Sequence, residues 1–164
     1  MKLVIGTRHW LGGEWTHLDG DPARLQSDDG LLHYPDIVSR AERVLLPDRS
    51  CRVVYSQECL EHVPWNRTAE VVGEWARLIE PGGILHIEVP DFLAACKQAL
   101  EVDTLDMDLA IQQIIFGGQS NMWDYHFAGL THRTLPFYME QSGLTVIDIG
   151  RGWERGWLTV VGER

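Results

Sequence analysis

A strand, helix, strand pattern in the middle of the chain constrains the fold more than any other feature. The β-branched and aromatic run Val53 to Tyr55 ends at the polar residues Ser56 to Glu58, as in a buried strand with polar groups at its carboxyl end. Apolar residues then recur at three- and four-residue spacing, which predicts a helix with one buried face. Pro81-Gly82-Gly83 predicts a tight reversal into the strand Ile84 to Val89. This order predicts a parallel crossover in an α/β sheet.

The helix of this unit has predictable boundaries and faces. Asn66 is expected to cap its first turn, because an amide side chain can accept from the free backbone N–H groups there. The predicted buried face consists of Val71, Val72, Trp75, Leu78 and Ile79. We expect Glu70, Glu74 and Arg77 to face water.

The amino-terminal part of the chain is predicted to be poor in helix. Two short strands, Lys2 to Gly6 and Trp15 to Leu18, are separated by too few residues for a helical crossover. Asp21-Pro22 is predicted to start one helical turn, and Pro35 to Ser39 an outer strand. Arg40 to Ser50 is predicted to be a loop that ends in a turn.

Helix caps and a strand pair organise the carboxyl-terminal half. Asp91 and Thr104 are placed to cap two successive helices, with predicted apolar stripes of Phe92, Ala95, Cys96, Ala99 and Leu100, and of Met107, Ala110, Ile111 and Ile114. A further helix starts near Thr134. Leu144 to Gly150 and Trp157 to Gly162 are predicted to pair antiparallel. We therefore predict one domain, residues 1–164, with a mostly parallel seven-stranded sheet and an antiparallel edge.

Two segments of the central unit carry a family resemblance. VVYSQECLEHVPW (residues 53–65) and EWARLIEPGGILHIEVPDF (residues 74–92) resemble the middle of class I S-adenosylmethionine (SAM) dependent methyltransferases. More narrowly, the LEH and VPD motifs and a later FGGQ…D-x-H segment resemble compact methyltransferases often associated with sugar and cell-surface polymer genes. The resemblance implies a Rossmann-like fold, SAM as cofactor, and methyl transfer to a small-molecule or saccharide-like acceptor.

The same resemblance implies a set of cofactor-binding residues. Asp19, at the end of the second strand, is placed to accept hydrogen bonds from ribose hydroxyls, and the alternative is a turn-forming aspartate. The full set is Gly6, Thr7, Asp19, Ala41, Ser56, Gln57 and Glu58. Glu58 is plausible beside a sulfonium cation or, alternatively, is a solvent-facing loop acid.

Three positions depart from the family pattern. Gly6-Thr7-Arg8 stands where relatives resemble G-C-G, and Arg40 and Arg52 stand where relatives usually carry acids. An arginine cannot accept a hydrogen bond from the adenine amino group. The alternative function is therefore a catalytically silent binding or scaffold domain with impaired SAM binding.

The loop Gly117 to His132 carries the candidate catalytic residues Asp124, Tyr125 and His126. Its glycines would permit a lid that closes over the acceptor. His126 is predicted to accept the acceptor's proton, with Asp124 orienting its ring, because imidazole titrates near neutral pH. The alternative is that His126 packs against Trp123 or caps a turn.

Glu61-His62 matches the family's EH pair, although His62 could equally cap or pack beneath the loop.

Spacing and composition exclude several other classes. The seven histidines show no H-E-x-x-H spacing and the three cysteines no C-x-x-C, so no metal site is predicted. No G-x-G-x-x-G follows the first strand, which disfavours a nicotinamide-dependent enzyme. A formal net charge of −10 opposes binding to nucleic acid.

Composition also predicts the setting of the protein. An odd number of cysteines within apolar segments favours reduced thiols and hence a cytoplasmic location. No apolar run approaches the ~20 residues needed to cross a membrane, and the start MKLVIG is expected to be a strand and not a signal peptide. Seven tryptophans and a missing crossover helix suggest a homodimer that covers apolar surface.

Overall fold

One seven-stranded sheet organises the structure, a computed structural model that describes residues 1–7, 9–23, 25–27, 29–152 and 156–164. The strands are β1 (Lys2–Ile5), β2 (Thr16–Asp19), β3 (Ile37–Val38), β4 (Cys51–Gln57), β5 (Ile79–Pro90), β6 (Thr145–Gly152) and β7 (Trp157–Glu163). Their spatial order is β3-β2-β1-β4-β5-β7-β6. β1 to β5 pair in parallel, whereas β7 is antiparallel to both β5 and β6. The predicted mostly parallel sheet with an antiparallel edge is confirmed.

In the described residues, four α-helices accompany the sheet: α1 (Thr68–Leu78), α2 (Phe92–Glu101), α3 (Leu105–Phe116) and α4 (Thr134–Gln141). None of the described helices is long and apolar enough to cross a membrane. The core lies between the sheet and α1, whose Val71, Val72 and Trp75 are fully buried as predicted. α4 packs beside α1 and buries Leu135 and Met139 in the same core.

The predicted N-cap of α1 is wrong by one residue. Asn66 lies in a short 3-10 helix, Trp65–Arg67, and α1 begins at Thr68. Arg67 occupies the N-cap position and makes no side-chain capping bond within the described chain. The 3-10 turn runs directly into the α-helix, so a polar cap at Asn66 is not needed to begin it.

Two charged residues of α1 do more than face water. Glu74 Oε1 accepts from the backbone N of Val44 at 2.9 Å. Arg77 Nη1 donates to the backbone O of Leu46 at 2.9 Å and to Asp48 Oδ1 at 2.6 Å. The loop after β3 lacks regular partners for its backbone, and these half-buried side chains supply them. Glu70 is exposed, as expected.

The connections in the amino-terminal half are loops in the described residues, as predicted, but the helical turn at Asp21-Pro22 is wrong. Asp21 N donates to Asp19 Oδ1 at 2.8 Å, and Ala23 N donates to Asp21 Oδ1 at 2.9 Å. Two successive aspartate turns replace the helical turn, because each short carboxylate captures a backbone N–H two residues ahead.

The caps of α2 and α3 are confirmed. Asp91 accepts from Ala94 N at 3.1 Å, and Thr104 from Met107 N at 3.3 Å. The predicted buried stripes are only partly correct, because Leu100 is 89% exposed and Ala110 is also exposed. α2 and α3 pack on each other at the rim of the fold, so their apolar faces are only partly covered.

The late start of the last helix, at Thr134, and the closing antiparallel pair are also confirmed. Within the predicted turn between the last two strands, residues 153–155 lie outside the described residues.

Candidate functional site

A pocket of about 390 Å³ opens at the carboxyl ends of β1, β2 and β4. It is lined by Ile5, Gly6, Leu18, Asp19, Gly20, Asp21, Ala23, Leu25, Gln26, Arg40, Ala41, Glu42, Glu58, Cys59, His62, Val63, Asn121 and Trp123. Parallel strands end at the same sheet edge, so the loops that follow them converge there. Its volume lies within the range of pockets for small ligands.

Gly6 forms the turn at the base of the pocket. Its φ of +73° lies in the left-handed region that favours glycine. A Cβ at this position would overlap the Sγ of Cys59, so a side chain here would displace the neighbouring loop. The single glycine of the degenerate motif therefore has a steric function.

Asp19 is the last residue of β2 and lines the pocket. Its Oδ1 accepts from Asp21 N at 2.8 Å, and its backbone O accepts from Ser39 N at 2.9 Å. These bonds fix the carboxylate at the sheet edge, where it can accept hydroxyl groups of a ligand.

Arg40 lines the pocket together with an acid that sequence analysis missed. Arg40 Nη2 donates to Glu42 Oε1 at 2.7 Å, and Nε donates to Oε2 at 3.2 Å. This bidentate pair lowers the pKa of the Glu42 carboxyl. The sequence feature that could have indicated this pair is the acid Glu42, two residues after Arg40. Arg52, by contrast, is exposed at the opposite end of β4, so its expected place beside the cofactor is wrong.

The predicted cofactor residues separate into two groups. Gly6, Asp19, Ala41 and Glu58 line the pocket. Thr7, Ser56 and Gln57 are not among its lining residues. Thr7 Oγ1 accepts from His9 N at 3.2 Å, Gln57 Nε2 donates to Glu88 Oε2 at 3.1 Å, and Ser56 is buried. Ser56 and Gln57 still belong to β4, whereas Glu58 is the first residue beyond it and turns with a φ of +52°.

The long loop reaches the pocket through Asn121 and Trp123, which the sequence did not single out. The Trp123 ring lies against Gly20, where a Cβ would be 3.2 Å from its Cζ3. The aromatic side chain covers the part of the pocket beside the end of β2. The sequence feature that could have indicated this contact is a tryptophan inside the loop predicted to form a lid.

The three candidate catalytic residues lie behind the pocket, and none of them is among its lining residues. Asp124 Oδ2 accepts from the Ser120 hydroxyl at 2.7 Å, which stabilises the loop. The half-exposed Tyr125 ring stacks on Phe127. His126 Nδ1 lies 2.8 Å from the backbone O of Ile114.

His62 connects these residues to the pocket. It lines the pocket, and its ring meets that of His126 edge to face with centroids 4.9 Å apart. Its Nδ1 lies 2.9 Å from the backbone O of Tyr125, so His62 also holds the loop. The sequence left both alternatives open for His62, and the structure shows a packed residue at the pocket wall.

Glu61 is the most buried acid near the pocket. Its side chain is 2% exposed, and neither carboxylate oxygen has a hydrogen-bond partner among the described residues. Burial, with a smaller contribution from the charge of Glu58, raises the pKa of the Glu61 carboxyl to about 8. Its backbone O accepts from Phe127 N at 2.8 Å, which fixes the long loop against this turn.

A comparison with family models shows which family the chain belongs to. The model described as "Methyltransferase domain" matches residues 5–87, just over half of the 164 residues. The chain belongs to the methyltransferase domain family. The matched segment of this methyltransferase domain contains all the pocket-lining residues except Asn121 and Trp123.

Solved structures share the fold of this methyltransferase domain at low sequence identity. A SAM-dependent methyltransferase from Mesorhizobium loti is 14% identical with a TM-score of 0.63, over 99% of this chain and 90% of that one. A Burkholderia thailandensis 1,6-didemethyltoxoflavin N1-methyltransferase was solved with S-adenosylhomocysteine. It is 11% identical with a TM-score of 0.59, and the alignment covers 99% of this chain and 70% of that one. The predicted Rossmann-like methyltransferase fold is confirmed.

Some of these structures are longer proteins. A proposed methyltransferase from Bacillus halodurans is 13% identical with a TM-score of 0.54, and the alignment covers 91% of this chain but only 62% of that one. No curated protein sequence matches the chain significantly.

Proposed function

We propose that this methyltransferase domain transfers the methyl group of SAM to a small-molecule or saccharide-like acceptor. The observation that carries the proposal is the pocket at the carboxyl ends of β1, β2 and β4, with Asp19 held at its edge. In open α/β sheets, ligands bind in this crevice.

The pocket residues fit a nucleoside cofactor. Asp19 would accept ribose hydroxyls, and the glycine at position 6 lets Cys59 pack directly against the turn at the base of the pocket. Leu18 and Leu25 supply apolar surface for a planar base. Glu58 offers a carboxylate to a sulfonium cation. Bound SAM supplies a methyl group that is already activated for transfer, so the protein's task is to orient both reactants and exclude water.

Charge supports a small acceptor. The formal net charge is −10, and Asp19, Asp21, Glu42 and Glu58 all line the pocket. A polyanion would be repelled from this surface, whereas a neutral saccharide or other hydroxyl compound would not. A saccharide-like acceptor agrees with the sequence resemblance of the LEH, VPD and FGGQ…D-x-H motifs.

A second candidate function is a catalytically silent binding domain. The Arg40–Glu42 pair favours it, because it places a cation at the pocket wall and occupies the carboxylate that could accept from an adenine amino group. This domain would keep the fold while binding SAM weakly or not at all.

Calorimetric titration of the full chain with SAM and with S-adenosylhomocysteine tests the proposal, with ATP as a control ligand that also carries adenosine. We expect both SAM and its product to bind one per chain and ATP to bind less tightly, because three phosphates meet acidic side chains. A panel of hydroxyl acceptors, assayed by release of S-adenosylhomocysteine, then tests transfer. Failure of both ligands to bind at millimolar concentration would overturn the cofactor assignment, and binding without turnover would favour the silent domain.

A further inference from the structure

Three potential metal ligands from distant parts of the chain meet beside the pocket. Glu61 and His62 belong to the 3-10 helix Leu60–His62 that follows β4, and His126 belongs to the loop after α3. One ligand atom from each side chain lies within 4.8 Å of those of the other two. Donor atoms around one tetrahedral ion lie about 3.5 Å apart, because metal–ligand bonds are about 2.0–2.2 Å, so small side-chain rotations would bring these three groups onto one ion.

Backbone carbonyls contact the same nitrogen in each of the two imidazole rings. His62 Nδ1 lies 2.9 Å from the backbone O of Tyr125, and His126 Nδ1 lies 2.8 Å from the backbone O of Ile114. A carbonyl oxygen can only accept, so each Nδ1 carries the proton and donates. A ring that donates from Nδ1 binds a metal through Nε2. A backbone carbonyl that fixes the tautomer through the other ring nitrogen is the usual outer contact of a metal-binding histidine.

The carboxylate of Glu61 is the second, independent observation. The side chain is 2% exposed, and neither oxygen has a hydrogen-bond partner within the described part of the chain. Leaving a buried carboxylate without a partner is costly, because its hydration is lost and nothing replaces it. A cation between the carboxylate and the two rings would replace that hydration.

We propose that Glu61, His62 and His126 bind a divalent first-row transition-metal ion through one carboxylate oxygen and the two Nε2 atoms. Imidazole and carboxylate donors suit ions such as Zn²⁺, Mn²⁺, Fe²⁺ and Co²⁺. Three protein ligands leave coordination positions open for solvent or substrate.

The position of the site suggests its use, and this step rests on the proposed function. His62 is both a ligand and part of the pocket wall, so the open positions of the ion border the pocket. Glu58 lines the same wall and adds negative charge near the ion. An ion there would bind a hydroxyl oxygen of the acceptor and lower its pKa, with the proton passing to solvent. The acceptor class that we infer is an alcohol, because its hydroxyl is too weak an acid to lose its proton without such help.

Metal binding by the full chain tests the site without any acceptor. The chelator-treated protein is titrated calorimetrically with Mn²⁺ and Zn²⁺, and Co²⁺ binding is followed by its visible absorption, which reports nitrogen and oxygen coordination. We expect one ion per chain. Glu61→Gln, His62→Gln and His126→Gln should each weaken binding by about tenfold or more.

His132→Gln is the matched control, because His132 lies in the same loop but outside the cluster. It should bind metal as the wild type does. Circular-dichroism melts of the metal-free variants show whether they fold. Glu61→Gln should fold well, because it replaces a buried unpartnered carboxylate with a neutral group of the same shape.

The proposal is overturned if the wild type takes up no ion, or if Glu61→Gln and His126→Gln bind as tightly as the wild type, which would place the ion elsewhere. The S-adenosylhomocysteine titration is independent of this outcome. Cofactor binding without metal binding rejects the metal site alone, and metal binding without cofactor binding rejects the proposed function alone.

Discussion

The guanidinium of Arg40 forms a bidentate pair with the carboxylate of Glu42 at the pocket wall, with its shorter bond at 2.7 Å. Arg40 is 69% exposed at its side chain and Glu42 only 11%. The pair therefore presents its cation at the surface and keeps its anion in the wall. Relatives are expected to carry an acid at the place of Arg40, so this arrangement bears directly on cofactor affinity.

We predict that SAM binding is weak, with a Kd above the sub-micromolar range, and that Arg40→Ala strengthens it several-fold. The substitution removes a positive charge that opposes the SAM cation, and it also removes the bidentate partner of Glu42. The adenine amino group then competes only with the longer 3.7 Å contact from Arg67 Nη1 among the described contacts of this carboxylate. Calorimetric titration with SAM measures the change. Arg43→Ala is the control, because it removes the same charge from an exposed residue outside the pocket lining. Sub-micromolar binding by the wild type would contradict the prediction.

Asp19→Ala should abolish the binding of SAM and S-adenosylhomocysteine, because it removes the carboxylate at the end of β2. The melting curve should change little, since the residue lies at a strand end and loses one turn hydrogen bond, worth about 1 kcal/mol. Asp21→Ala removes a neighbouring pocket carboxylate and also one turn bond, and it should keep most of the affinity. Equal titrations for Asp19→Ala and the wild type would remove Asp19 from the site.

His126→Ala should lower the turnover number by ~10²-fold or more with SAM affinity preserved, once an acceptor is known. His126 is not among the pocket-lining residues, so cofactor contacts should survive. Both roles considered for His126, proton acceptor and metal ligand, predict this loss. The metal content of the variant separates these two roles, because the bound ion is lost only if His126 is a metal ligand. If His126→Ala retained its turnover number, the prediction would be contradicted and the loop would have only a structural role.

The contribution of His17 to stability should fall as the pH drops below ~6.5, whereas the raised pKa of the Glu61 carboxyl adds stability as the pH falls from about 8. Burial lowers the pKa of His17, against the opposing effect of Asp36 and with a further lowering by His33. The backbone N of Leu11 donates to His17 Nε2 at 2.9 Å, a bond that a protonated ring cannot accept. The unfolded chain therefore takes up the proton at a higher pH than the folded chain, so acid favours unfolding.

Urea unfolding between pH 5 and pH 8 measures this dependence. His17→Gln should weaken the loss of stability in acid, while His86, whose pKa burial also lowers, acts in the same direction as His17 and Glu61 acts in the opposite direction. His9→Gln, at an exposed position, should leave the slope unchanged. A slope that is identical in the wild type and His17→Gln would contradict the assignment.

We also predict that the chain forms a homodimer. Leu105 is 72% exposed and Leu109 is 55% exposed on α3, a face that a second copy would cover. Light scattering at micromolar concentration should give twice the monomer mass, and Leu105→Glu should reduce it. Leu45→Glu is the matched control, because Leu45 is 76% exposed and lies in the loop between β3 and β4, away from α3. A monomeric mass for the wild type would contradict the prediction.

Signals confined to a few neighbouring residues predicted the fold correctly. The strands and the helix between Val53 and Val89, the caps Asp91 and Thr104, and the antiparallel pair at the carboxyl end follow from periodicity and capping. The tight reversal predicted at Pro81-Gly82-Gly83 is wrong, because these residues lie within β5, whose pairing with β4 shifts register there. Each of these preferences acts within about one or two turns of backbone, so a single sequence displays it. They also placed Gly6, Asp19 and Glu58 at strand ends, and these residues line the pocket.

Local signals failed where a distant segment competed for the same groups. Glu74 accepts from the backbone N of Val44 in a distant loop, whereas its position on the helix predicts only contact with solvent. Spacing along the chain gave no indication of a metal site, yet the backbone bond from Phe127 N to Glu61 O fixes the loop of His126 beside His62. Sequence determined which short segments become strands and helices, because those energies are local. Only the tertiary structure decided which side chains share a pocket, because contacts between distant residues depend on how the sheet brings strand ends and loops together.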